Sequence, residues 1–141
     1  MAAPPVQASA HEGEGRTRVC LSLGRVGADL VACLFNDAGH IGAVAVADYS
    51  DKDGRASVSV VTRLGHKEDA VAAEAARRLC KAVRRPVCAI AGIHLDDITD
   101  REVAQVVGNC EKLVARAIGQ LAGGAVAPHP PVFDFDKGEG A

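Results

Sequence analysis

Apolar positions along the chain follow two periods. Between Val19 and Leu64 they alternate or run continuously in four short stretches: Val19–Leu23, Asp29–Phe35, Ile41–Ala47 and Ala56–Leu64. These stretches are separated by Gly24–Gly27, the turn Asn36–Gly39 and the polar loop Asp48–Gly54, so each reads as a strand. In the third, Ile41, Ala43, Ala45 and Ala47 alternate with Gly42, Val44 and Val46, giving one face of small side chains that a helix can approach closely. From Lys67 the period lengthens to about 3.6: Val71, Ala72, Ala75, Ala76, Leu79 and Cys80 form a stripe opposite Glu74, Arg77, Arg78 and Lys81. The spacing predicts a helix that stops near Arg84, because Pro86 disfavours helical geometry at Arg85. Val87–Ala91 is apolar throughout, as expected of a strand buried on both faces, and it breaks at Gly92. A second helix starts at Thr99, which forms a capping box with Glu102, and Ile98 is placed to staple onto Val103. Its stripe runs from Val103 through Val106, Cys110, Leu113 and Ala117 to Leu121, ending at Gly123-Gly124.

The order β-β-β-β-α-β-α predicts an α+β domain with a five-stranded mixed sheet and two helices on one face. Those helices cover only one side, yet the second strand is apolar on both, with Val31, Cys33 and Phe35 opposing Leu30, Ala32 and Leu34. A second copy of the chain is the simplest cover, so a homodimer or higher homo-oligomer is expected. Residues 1–16 are rich in Ala, Pro, Gly and Glu without a period and read as a disordered tail. The domain is expected over 17–122, with a flexible Pro/Gly-rich tail over 123–141. His11 and His129 fall in the tails and are set aside as site residues.

Composition narrows the function. Aromatic residues make up only 3% of the chain and the formal net charge is -2, which together argue against stacking on bases or reading a phosphate backbone. The five cysteines are odd in number and form no CxxC pair; each sits in an apolar setting, where a free thiol acts as a small hydrophobe. No charged-then-apolar leader opens the sequence, and no apolar run approaches the roughly 20 residues of a membrane helix. A reduced, cytoplasmic protein is expected, without nucleic-acid or membrane partners. The basic run Arg77, Arg78, Lys81, Arg84 and Arg85 fits the solvated face and C-terminus of a helix, where the macrodipole favours cations.

Chain topology brings the histidines together. The fourth strand, first helix and fifth strand form a β-α-β unit, whose two strands run parallel in one sheet. His66 and His94 follow their C-terminal ends, and His40 precedes the third strand, which runs antiparallel to the fourth. One sheet edge should therefore carry His40, His66, Lys67, His94, Asp37, Asp96 and Asp97, with Gly39, Gly42, Gly65 and Gly92 allowing a ligand close to the backbone. Both helices also start there. Singly, each histidine could be no more than a hydrogen-bonding residue at a strand end; three in glycine-flanked settings on one edge point to a binding site. Two chemistries fit. Imidazoles, Lys67 and helix N-termini suit a phosphate-bearing ligand, whereas three histidines with an aspartate could hold a zinc-like ion in a metal-dependent small-molecule enzyme. No serine or cysteine falls at the edge to serve as a nucleophile.

Three segments, GHIGAVAVA (Gly39–Ala47), LGHKED (Leu64–Asp69) and AGIHLDDIT (Ala91–Thr99), carry a resemblance over roughly Arg18–Ala122. In this order they resemble the prenylated flavin chaperone LpdD-like family, the small D subunit that accompanies UbiD-type aromatic-acid decarboxylases. The resemblance implies a fold like that of proteasome-assembly chaperones and a non-catalytic protein. Its cofactor would be prenylated FMN, or FMN, protected or delivered to a UbiD-type decarboxylase; a subunit that only docks the decarboxylase is the blander alternative. It implies no catalytic or metal-binding residue, and a cofactor pocket of His40, Gly42, Gly65, His66, Lys67, His94, Asp96 and Asp97. The phosphate is expected near Gly65–Lys67, at the start of the first helix. With so few aromatic side chains, Ile41, Ile93 and Leu95, or a neighbouring subunit, would have to enclose the flavin ring.

Overall fold

Small side chains set how closely the layers pack. In the computed structural model, which describes residues 9–65 and 68–123, the third predicted strand presents Ala43, Ala45 and Ala47 to a helix carrying Ala72, Ala75, Ala76 and Leu79, all of them buried. The elements in chain order are β1 (Ser9–Glu12), a 3-10 turn (Gly15–Thr17), β2 (Val19–Val26), β3 (Asp29–Phe35), β4 (Ala43–Ser50), β5 (Arg55–Thr62), α1 (Asp69–Val83), β6 (Val87–Gly92) and α2 (Asp100–Gly123). Helix α1 packs on β4, β5 and β6, α2 packs on β1 and β2, and the two helices touch, so both lie on one face of the sheet.

The sheet is mixed, with strand order β1-β2-β3-β6-β4-β5. Its one parallel pairing joins β3 to β6, Leu30 opposite Val87 through Phe35 opposite Gly92. β4 runs antiparallel to both β5 and β6 and lies between them, so β5 and β6 are parallel across it. This is the crossover expected from β5-α1-β6, with one strand inserted. The register places Leu21, Leu34, Ala91 and Ala43 in one row, and Leu23, Ala32, Ala89 and Ala45 in the next, all buried beneath the helices.

The six-stranded sheet corrects the expectation of five. The additional strand, Ser9–Glu12, pairs antiparallel with Val19–Ser22 in a stretch whose composition suggests a tail. Four residues carry too little pattern to read as a strand; besides the ladder to β2, side chains from α2 hold them and the turn that follows. Arg116 Nη1 donates to the His11 carbonyl at 3.0 Å, and Asn109 Nδ2 donates to the Thr17 carbonyl at 2.9 Å. Arg16 pairs with Glu102. Glu102, Asn109 and Arg116 are seven residues apart and line one side of α2, making three polar rungs for a strap of residues 11–17. The expected C-terminal tail lies outside the described residues, apart from the end of α2.

Both helix boundaries have local causes. α1 ends at Arg84, whose φ of 55° places it in the left-handed region and whose N–H donates to the Cys80 carbonyl at 2.7 Å. α2 starts with the expected capping box: the Glu102 N–H donates to Thr99 Oγ1 at 3.1 Å, and the Thr99 N–H donates to Glu102 Oε1 at 3.1 Å. No helix among the described residues is long and apolar enough to cross a membrane.

Candidate functional site

The edge where β3, β5 and β6 end and β4 begins also holds the start of β2 and of both helices. His40 lies on the connection into β4, and His94 on the connection leaving β6. Their ring centroids are 5.6 Å apart with planes tilted by 35°. His66 and Lys67 lie outside the described residues.

Backbone crowding holds His40 and His94 close. A Cβ on Gly92 would sit 2.0 Å from the His40 carbonyl oxygen, and one on Gly39 would sit 2.0 Å from the Gly92 carbonyl oxygen. The glycines at these positions let the chain approach itself. Gly42 is buried, its N–H donates to the Ala91 carbonyl at 2.9 Å, and its missing Cβ leaves room for the Glu68 carboxylate. Gly65, at φ +77°, has open space around it. Asn36 fixes the other histidine: its Nδ2 donates to the His94 carbonyl at 2.8 Å, and its Oδ1 accepts the His94 N–H at 3.1 Å. The His94 ring then reaches Asp96, with Nε2 2.9 Å from Oδ1. Asp97, at φ 50°, is exposed and closes the turn toward α2.

His94 and Leu95 form a wall between two hollows. On the helix side is a cavity of about 450 Å³, within the size range of small-molecule sites, with His40, Gly65 and Glu68 at its polar end. Ile93, Ile98, Val103 and Val107 are among its aliphatic lining. Of the three aliphatic residues expected to enclose a ring, Ile93 and Leu95 line it and Ile41 does not. On the other side is a cavity of about 470 Å³ lined by Arg16, Arg18, Asn36 and Asp37 as well as His94. Among the described residues no three His, Cys, Asp or Glu side chains gather as a metal site.

Four residues of this region carry no conspicuous signal in the sequence. Asn36 reads only as a turn residue, Glu68 as the start of a helix, and Arg16 and Arg18 border a low-complexity stretch. The pattern Arg16-Thr17-Arg18 next to the first strand is the one clue to the last two. Arg16 also donates to the Asp96 carbonyl at 2.6 Å, tying the strap to the loop that carries His94. The hydrogen bond from the Arg16 guanidinium, followed by the Thr99 N–H, holds the Glu102 carboxyl below the usual carboxylate range.

A family model described as the prenylated flavin chaperone LpdD-like domain matches residues 13–122. The chain belongs to that family. The match takes in the Gly13–Thr17 part of the strap, both hollows and all but the last residue of α2. A solved structure described as a novel chaperone complex for yeast 20S proteasome assembly is similar at 11% identity and a TM-score of 0.48, covering 80% of this chain and 100% of that one. No curated protein matches significantly.

Proposed function

We propose that this member of the family is a non-catalytic chaperone. It binds prenylated FMN at the His40–His94 edge and protects it or delivers it to a UbiD-type decarboxylase. One observation carries the reading: two imidazoles from separate parts of the chain meet at the mouth of an aliphatic cavity of about 450 Å³. An apolar slot with a few convergent polar groups suits a flat, largely apolar ring system whose edge carries hydrogen-bonding atoms. Ile93, Leu95, Ile98 and Val103 would hold the ring, and His40 and His94 would meet its polar edge. Gly65 keeps a side chain out of the slot, Gly42 makes room for the Glu68 carboxylate at the polar end, and Asp96 orients His94. Asp97 shapes the approach, and His66 and Lys67 belong to the same proposed site. Bound there, the cofactor's reactive chemistry is held away from water and kept for the decarboxylase.

The chain works as a homodimer in this proposal, joined through the sheet face that the helices leave uncovered. Val46 and Val61 on that face are 45% and 70% exposed, and Phe35 is on the same face at the site end of β3. A cytoplasmic setting agrees with the five free cysteines among the described residues.

Anaerobic titration with reduced prenylated FMN and with plain FMN, followed by flavin absorbance, tests the reading. Saturable binding of the prenylated form is expected, weakened about tenfold in His94→Ala by loss of the polar contact. Absence of any spectral change with either flavin rejects it.

A further inference from the structure

The geometry points to Arg18 as the residue that binds the anionic end of the ligand, in the polar hollow on the far side of His94. This assignment rests on the flavin reading and locates a second subsite for it. Four observations lead there.

The first is that both helix starts at this edge already carry acidic residues of the chain itself. Glu68 occupies the N-cap position of α1 and Asp69 its first turn, and Glu68 also lines the aliphatic cavity beside His40. In α2, Asp100 and Glu102 lie in the first turn, and the Glu102 carboxylate accepts from the Thr99 N–H. A helix N-terminus attracts an anion when its donors and partial positive charge are unspent; at α2 the Glu102 carboxylate already accepts from Thr99, and at α1 the acidic Glu68 and Asp69 oppose a further negative charge.

The second is the composition of the polar hollow. It brings two guanidinium groups, the Asn36 amide and His94 together against one carboxylate, Asp37. The third separates the two arginines. Arg16 is committed to Glu102 and the Asp96 carbonyl, whereas Arg18 is exposed and makes no ion pair among the described residues. The fourth is the strap. Its three rungs on α2 are what carry Arg16 and Arg18 to the histidine edge, and Asn109, a buried polar side chain, is spent on holding it.

His94 and Leu95 line both hollows, so one ligand crossing that wall can occupy both. The flavin ring lies on the aliphatic side and its sugar-alcohol chain passes over His94. The phosphate then meets Arg18, whose planar fork matches phosphate oxygens. Asp37 remains for the hydroxyls of the linking chain, while Asn36 stays committed to the His94 backbone. Arg16 is a positioning residue that keeps the strap against the loop.

The test compares reduced prenylated FMN with the same cofactor after phosphatase treatment. Both are titrated anaerobically into wild type, Arg18→Ala, Arg18→Glu and Lys67→Ala. In wild type the phosphorylated form is expected to bind at least roughly tenfold more tightly, the scale of a charge-assisted contact. Arg18→Ala should bring the two affinities together by weakening the phosphorylated form alone, and Arg18→Glu should make the dephosphorylated form the tighter one. Lys67→Ala, a variant of the same proposed site, should at most weaken both forms alike and so preserve the preference. Equal losses of both forms in Arg18→Ala, or a preference that survives there and vanishes in Lys67→Ala, would overturn the assignment and leave the flavin reading standing. A wild type that binds both forms equally does the same, and one that binds neither rejects both.

Discussion

Gly92 and Gly42 lie within a few ångströms of the same histidine loop, yet they tolerate a methyl group very differently. At Gly92 the added carbon would meet the His40 carbonyl and the Ile41 nitrogen, which are backbone atoms that cannot turn aside. At Gly42 it would meet the Glu68 carboxylate, the far end of a side chain with free rotors. Gly92→Ala is therefore expected to destabilise the fold by roughly 1–3 kcal/mol, the usual cost of overpacking, and to displace His40 from His94. Gly42→Ala should cost clearly less. Urea unfolding of both variants checks this, and equal midpoints would contradict it. The sequence marks Gly39, Gly42, Gly65 and Gly92 alike as places for a ligand to approach. In the structure, Gly39 and Gly92 admit the chain's own backbone, Gly42 admits a carboxylate, and Gly65 alone opens onto the cavity. Sequence shows where a side chain is absent; only the fold shows what fills the space.

Among the elements, the strap is the part that pattern reading misses, for a definite reason. The two long helices and the four strands Val19–Val26, Asp29–Phe35, Arg55–Thr62 and Val87–Gly92 advertise themselves through apolar period, turns and caps. β4 does so as well, although it begins at Ala43 rather than Ile41 because the crowded His40–Gly42 backbone delays it. The Ser9–Glu12 strand and the turn after it are held by a ladder to β2 and by polar groups spaced seven apart on α2, and such groups look like an ordinary solvated helix face. Their polar character makes the strap sensitive to acid. Glu102 has its carboxyl held low by Arg16 and Thr99 in the folded chain. A depressed folded value means that its contribution is complete above the ordinary carboxylate range, about 4.3, and is lost as pH falls through the lower folded value. Amide hydrogen exchange over residues 9–18 should therefore accelerate, relative to the β3 core, as pH is lowered through that window. Glu102→Gln should show the faster relative exchange already at neutral pH. The ion pair is exposed, so high salt should weaken the difference. Uniform acceleration of strap and core together would contradict this account.

For the molecule as a whole, the two sheet faces are unequal. One is sealed by α1 and α2; among the described residues the other has no helix above Val44, Val46, Val61, Ile90 and Phe35. This asymmetry was legible from the second strand alone, whose alternate positions are apolar on both sides, because two helices cannot cover two faces. If a second copy covers the open face, Val46→Lys should shift the chain to monomer in sedimentation velocity, since a charge at the centre of an apolar contact goes unpaired. The lysine would project from the uncovered face, so fold stability should change little. An unchanged sedimentation coefficient would move the contact elsewhere.

The position of β6 has one more consequence. β2 and β3 form one hairpin, β4 and β5 another, and no ladder joins β3 to β4; the last strand to emerge lies between them. Until β6 inserts, the chain is two unconnected half-sheets, and His40 and His94 have no common wall. The proposed site thus cannot form before β6 inserts, and a chain without that strand has no pocket in which to hold the proposed cofactor.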